Sequence, residues 1–149
     1  MSPDTPRPAV LRVQRLRPEA RLPQRATPGS TGYDLHACLD DDLIVGQEPV
    51  PVPTGIAIEA PTGYDAQIRP RSGLSARGVQ VTFGTIDSDY RGEIFVTMYL
   101  FGTRDDFRVN DGDRIAQLVI ARLADLPVVE VEELSPTARG ERGHGSTGQ

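Results

Sequence analysis

The chain has 149 residues, a net charge of −5 and a hydrophobic fraction of 38% without a single Trp. That length predicts one domain, 1–149, with a modest aliphatic core, and the negative balance argues against nucleic acid as the main ligand. All sixteen basic residues are Arg and Cys38 is the one cysteine, which excludes Schiff-base chemistry, a lysine-dependent phosphate loop, an intrachain disulfide and a cysteine-based zinc site.

Along the chain, the first ten residues lack the apolar core of a signal peptide. No run reaches the ~18 apolar residues of a membrane helix. A soluble, cytoplasmic protein with no membrane partner is therefore expected. Val10 to Leu16 alternates apolar and polar residues and predicts a first strand. Arg17 to Pro28 reads as a loop, and Tyr33 to Cys38 alternates again. Leu43–Val45, Pro49–Pro53, Gly55–Glu59 and Gly63–Arg69 give further short strands. Pro70 to Gly78 breaks the pattern, with one or two helical turns around Leu74–Arg77. Strands resume at Val79–Phe83, Ile94–Phe101, Phe107–Asn110, Arg114–Leu123 and Val128–Val131. Some ten short strands punctuated by thirteen Pro and fifteen Gly predict an all-β sandwich or jelly-roll-like barrel with one short helix. Residues 137–149 carry no periodicity and read as a mobile tail.

Polar, glycine-punctuated segments interrupt this pattern. Gly84 to Glu93 (Gly-Thr-Ile-Asp-Ser-Asp-Tyr-Arg-Gly-Glu) sets Asp87 and Asp89 beside Tyr90 and Arg91. It is either a polar turn or a site that activates water next to a phosphate. Arg69-Pro70-Arg71-Ser72-Gly73-Leu74 offers guanidinium forks at a helix start, which suit an oxyanion, or an ordinary cap by Ser72. Asp34 among apolar neighbours needs a hydrogen-bond partner or a metal-linked water. Gln117, inside apolar Arg114–Ile120, is either an edge residue or a ligand contact. Arg139 to Gly148 lacks the lysine of a Walker A motif, yet its two arginines and two hydroxyls suit a polyphosphate.

The ordered series Gly-Tyr-Asp-Leu-His-Ala, Arg-Ser-Gly-Leu, Gly-Thr-Ile-Asp-Ser-Asp-Tyr-Arg-Gly, Gly-Asp-Arg-Ile-Ala-Gln-Leu and Arg-Gly…Gly-Ser-Thr-Gly resembles the five motifs of trimeric dUTPases, from about Val10 to Gly148. The resemblance implies a distorted jelly-roll-like β-barrel, a homotrimer with shared active sites, and a C-terminal arm, 137–149, closing over a site. It implies hydrolysis of dUTP to dUMP and pyrophosphate with Mg²⁺ on the triphosphate. Asp87 would be the general base and Tyr90 would pack under the deoxyribose, with Thr85, Ile86 and Phe95 also binding substrate. Arg71, Ser72, Gly73 and Gln117 would hold phosphates, Asp34 would act on the metal through water, and Arg139, Ser146 and Thr147 would clamp the γ end. His144 stands where many members carry a Phe that stacks on uracil. Between Ser75 and Gly84 the family has a longer hairpin, often with an Asn; Ala76–Phe83 is shorter and has none.

Two rivals fit the same scaffold. A dCTP deaminase needs a Glu on the strand after the third motif, and Ile94–Phe101 has no carboxylate. A nucleotide-sensing regulatory protein, or a hydrolase of altered base specificity, is the other; a module that only binds has no need of a general base.

Overall fold

The computed structural model describes residues 8–103 and 105–143. Period-two alternation forms the strands. In β9 (Phe95–Leu100), Val96, Met98 and Leu100 are buried while Phe95, Thr97 and Tyr99 face outward. In β6 (Tyr64–Arg69), Ala66 and Ile68 point to the core, and Asp65, Gln67 and Arg69 line the opposite face.

Among the described residues, eleven strands in four antiparallel sheets and one helix give an all-β, jelly-roll-like architecture. The largest runs β2 (Tyr33–His36), β11 (Arg114–Arg122), β6, β8 (Gly84–Ile86). A second runs β4 (Val50–Pro53), β9, β7 (Val79–Val81). Two-stranded pairs join β1 (Arg12–Arg15) to β5 (Ile56–Glu59) and β3 (Leu43–Val45) to β10 (Phe107–Val109). One core cluster, including Leu35, Val52, Ile56, Ile68, Val96, Met98 and Leu118, fills the space they enclose. The edge strand β4 pairs Pro51 with Thr97 and Pro53 with Phe95. Proline tolerates such an edge because it has no N–H to give the ladder.

A bulge in β11 matters most for the site. The register shifts between Arg114, which faces His36, and Ala116, which faces Leu35, so that Ile115 and Ala116 are both buried. The extra residue turns Arg114 onto the face that carries Gln117, whose partner across the ladder is Asp34.

Three expectations change. Val128–Val131 forms no strand: the segment has no ladder partner among the described residues, and Val128 is fully exposed. Gly84–Ile86, embedded in a turn-like motif, is instead strand β8, pairing with β6. Residues 76–83 make no hairpin. The strand β7 pairs with β9 and β8 with β6, so Thr82 and Phe83 are a two-residue crossing from one sheet to another.

Candidate active site

Asp34 lies on β2 with its carboxylate 19% exposed between two guanidinium groups, Arg71 Nε at 3.8 Å and Arg114 Nη1 at 3.7 Å. Arg71 Nη1 also donates to the Arg114 carbonyl at 3.1 Å, locking the two arginines together. Gln117 sits on a central strand, which excludes the edge reading. Its amide donates to the Pro70 carbonyl at 2.9 Å. Gly32 permits that placement, since a Cβ there would fall 2.2 Å from Gln117 Oε1. Arg71, not Ser72, is the N-cap of α1 (Ser72–Ala76), and no side chain caps it. The exposed Ser72 and Gly73 begin the helix, where backbone N–H groups have no intrahelical acceptor.

This end of the sheet is electropositive and partly desolvated. Burial, and next the charge of Arg21, push the His36 imidazole below its ordinary pKa. Among the described residues, its buried Nδ1 has no hydrogen-bond partner, nor has the buried Nε of Arg69. The guanidinium of Arg69 lies 5.6 Å from the centre of the exposed Phe83 ring, and its Nη2 donates to Gln67.

Asp87, Tyr90, Thr85, Ile86 and Phe95 line one cavity of about 280 Å³ together with Ile68, Gly84, Glu93 and Ile94. Its wall is apolar and its rim carries Asp87. The loop from Asp87 to Glu93 closes through the Tyr90 N–H to the Asp87 carbonyl at 3.0 Å and the Tyr90 hydroxyl to the Glu93 carbonyl at 2.9 Å. Gly92 makes room for the phenol: a Cβ there would lie 2.4 Å from the Tyr90 hydroxyl.

These two groups do not meet within one chain. Ile86 faces Ala66, so Asp87 leaves the sheet beside the Asp65 end of β6, whereas Gln117 and Asp34 align with Arg69. From Asp65 to Arg69 is about 13 Å along the strand at ~3.3 Å per residue. Arg139 is exposed and bonds only locally, its Nε donating to the Arg142 carbonyl at 2.6 Å. His144, Ser146 and Thr147 lie outside the described residues.

As for a metal, no cluster of three or more His, Cys, Asp or Glu side chains stands ready among the described residues. The donor set at Asp34 is a single carboxylate flanked by arginines. That fits a Mg²⁺ held mainly by phosphate oxygens and waters, with the protein reaching it indirectly.

Arg114 was absent from the residues singled out by sequence, although it stands three positions before Gln117. The bulge that turns it toward Asp34 has no sequence signal. Gly32 and Gly92 are legible only once the side chains they admit are placed.

The family model for dUTPase matches residues 18–148. The deoxyuridine 5′-triphosphate nucleotidohydrolase of Hydrogenobaculum sp. is 50% identical over 142 residues, spanning 93% of this chain and 97% of that protein. Its Syntrophotalea carbinolica counterpart is 48% identical over 144 residues, with 93% and 97% covered. Among solved structures, the Staphylococcus bacteriophage 80alpha dUTPase with dUpNHpp superimposes with a TM-score of 0.82 at 28% identity, covering 94% of this chain and 99% of that one. A dUTPase from phage phi11 of S. aureus, described with a structural Mg(II) ion, gives a TM-score of 0.73 at 26% identity, covering 83% and 97%. Matched along nearly its whole length in both sequence and fold, the chain belongs to the dUTPase family.

Proposed function

We propose that this chain is a dUTP diphosphatase, a hydrolase that converts dUTP and water to dUMP and pyrophosphate. The observation that carries the reading is the cavity that gathers Asp87, Tyr90, Thr85, Ile86 and Phe95 in a chain of this family. Ile86 and Phe95 supply an apolar wall for the nucleoside, and the Tyr90 ring lies under the deoxyribose and excludes a 2′-hydroxyl. Asp87 takes a proton from a water whose oxygen attacks the α-phosphorus in line. The bond from that phosphorus to the bridging oxygen breaks, and pyrophosphate leaves.

Arg71, Ser72, Gly73 and Gln117 hold phosphate oxygens, which suits the cationic end of the sheet. Arg139, Ser146 and Thr147 clamp the γ end, and His144 stacks on the base. Mg²⁺, when bound, neutralises triphosphate charge and polarises the phosphoryl oxygens. Asp34 orients the waters around it. With Asp87 and Arg71 at opposite ends of one sheet, a complete site draws on more than one copy, which supports a homotrimer. The arm after β11 supports it too: Leu126, Val128, Val129 and Leu134 are exposed by 72–100% and lack cover among the described residues. We read 1–149 as one domain with 137–149 as its closing arm. No helix among the described residues is long and apolar enough to cross a membrane, and a cytoplasmic location fits a nucleotide substrate.

The deaminase rival finds no support, because β9 offers no carboxylate. Altered base choice keeps one observation in its favour, the direct Thr82–Phe83 crossing in place of a hairpin. Pyrophosphate release with Mg²⁺ from dUTP, dTTP, dCTP and UTP tests both points. Strong preference for dUTP is expected, and spread over several deoxynucleotides would indicate a changed base pocket. Asp87→Asn should bind dUpNHpp yet lose about 10²–10⁴-fold in kcat. Turnover equal to the wild type would end the enzymatic reading of Asp87.

A further inference from the structure

The loop that carries Asp87 has little to hold it. It leaves β8 at the buried Ile86 and rejoins the core at the buried Ile94, whose N–H donates to the Ile56 carbonyl at 2.9 Å. Asp87 through Arg91 are exposed, and Gly92 and Glu93 are only half-buried. Apolar packing therefore fixes the two ends of the loop and not its middle, where the general base must be aimed.

The middle is tied down by one guanidinium. Arg91 Nη1 donates to the Ser88 carbonyl at 2.6 Å and to the Tyr90 carbonyl at 3.0 Å, so it grips the turn that follows Asp87 from both sides. Nη2 of the same group donates to Glu59 Oε1 at 3.1 Å. Among the described residues, this is the one hydrogen bond that ties residues 88–92 to another element. Glu59 ends β5, and its second oxygen forms an ion pair at 2.6 Å with Nη1 of Arg12, the residue directly across the β1–β5 ladder. The carboxylate is thus held from two sides while it holds Arg91. A cavity of about 350 Å³ lies along this face, between the ladder and Arg91.

From this geometry we propose that Arg91 and Glu59 are positioning residues for Asp87: the guanidinium fixes the Ser88 and Tyr90 carbonyls, and Glu59, steadied by Arg12, fixes the guanidinium. The proposal rests on the reading of Asp87 as the general base. Its physical reason is the planar fork. A guanidinium donates to two carbonyls and a carboxylate at once with fixed angles, whereas an ammonium keeps the charge and loses that geometry. Exposed ion pairs contribute little to stability, but a displacement of about 1 Å at a catalytic group costs up to 10²-fold in rate. The pair is therefore expected to appear in turnover and not in folding.

The test uses the full chain with Mg²⁺. For Arg91→Lys we expect kcat on dUTP to fall about tenfold, with dUpNHpp affinity within about twofold and the melting temperature within about 2 °C. Glu59→Gln, isosteric and away from the substrate cavity, should lower kcat about threefold by the same route. In an Asp87→Asn background, Arg91→Lys should cost nothing further, because the group it aims is gone. Wild-type kcat in Arg91→Lys, or an equal loss in the Asp87→Asn background, overturns the proposal. So does a kcat loss matched by loss of dUpNHpp affinity. If Arg91→Lys fails to fold, Glu59→Gln alone decides, and an unchanged kcat there overturns the role. A wild-type chain that releases no pyrophosphate from dUTP would instead overturn the function itself. An active wild type, with Asp87→Asn inactive and Arg91→Lys unaffected, overturns only the positioning.

Discussion

At one end of the four-stranded sheet Asp34 lies between Arg71 and Arg114, while at the other Asp87 stands exposed on the rim of an apolar cavity. The first end is cross-linked by ion pairs, by the Arg71 bond to the Arg114 carbonyl and by the Gln117 bond to the Pro70 carbonyl. The second has only a loop that bonds mainly to itself. Charge has to be pre-arranged where a triphosphate is to be held, because reorganising arginines during reaction would forfeit the stabilisation. A general base instead needs access to water and substrate. The two demands conflict, and separating them by the length of a strand lets one small sheet meet both. In the function proposed above, neither end is then a site by itself.

That contrast has a sharp consequence in mixed assemblies. Asp87→Asn and Arg71→Ala should each be nearly inactive alone. Assembled together from equal amounts, they should recover about a quarter of wild-type turnover, since a site then needs an intact Asp87 from one copy and an intact Arg71 from its neighbour. Pyrophosphate release from co-refolded chains measures this, and a mixture that stays silent would break the division of labour between the ends.

A pair of glycine substitutions sharpens the contrast further. Gly32→Ala drives a Cβ to 2.2 Å from Gln117 Oε1 and 2.9 Å from its Cβ, inside the cross-linked end. It should destabilise the fold by about 1–3 kcal/mol in urea titration. Gly92→Ala meets the Tyr90 hydroxyl instead, on the exposed loop. Its stability change should stay within about 0.5 kcal/mol, while KM for dUTP rises as the ring is displaced. Equal stability losses would show that the loop is packed more firmly than its exposure implies.

The smallest effect concerns pH. Cys38, buried just beyond β2, has its thiol pushed above its ordinary 9.0 by burial. An acid whose folded pKa is raised contributes stability that is complete below the unfolded value and is lost as pH rises through the folded one. Urea midpoints should therefore fall as pH rises past the ordinary thiol value of 9.0. In Cys38→Ala that alkaline slope should flatten. An unchanged slope would place its origin elsewhere.

Much of this was legible in the sequence because alternation survives wherever one face of a strand is core. Val96, Met98 and Leu100 fall two apart and all are buried. That Thr85, Ile86, Asp87, Tyr90 and Phe95 line one cavity was also legible, since they lie within eleven positions of one another. What stayed hidden is what depends on pairing. Val128–Val131 has strand composition but no strand partner among the described residues, and Gly84–Ile86 has turn composition but pairs with β6. The bulge that turns Arg114 toward Asp34 changes side-chain facing without changing residue types. The Arg91–Glu59 contact spans 32 positions and the Arg12–Glu59 contact crosses a different ladder, so neither leaves a local trace.

The prolines of β4 bear on how the protein avoids open-ended growth. Along an edge strand, alternate residues point their N–H groups outward, and on β4 the outward positions 51 and 53 are both proline, opposite Thr97 and Phe95 on the inner side. That rim offers no donors to an incoming strand, and the Pro53 carbonyl is already taken by the Cys38 N–H at 2.8 Å. A second copy thus has no template there from which to extend the sheet into a fibre. Crowded chains are thereby steered away from stacking edge to edge along this rim.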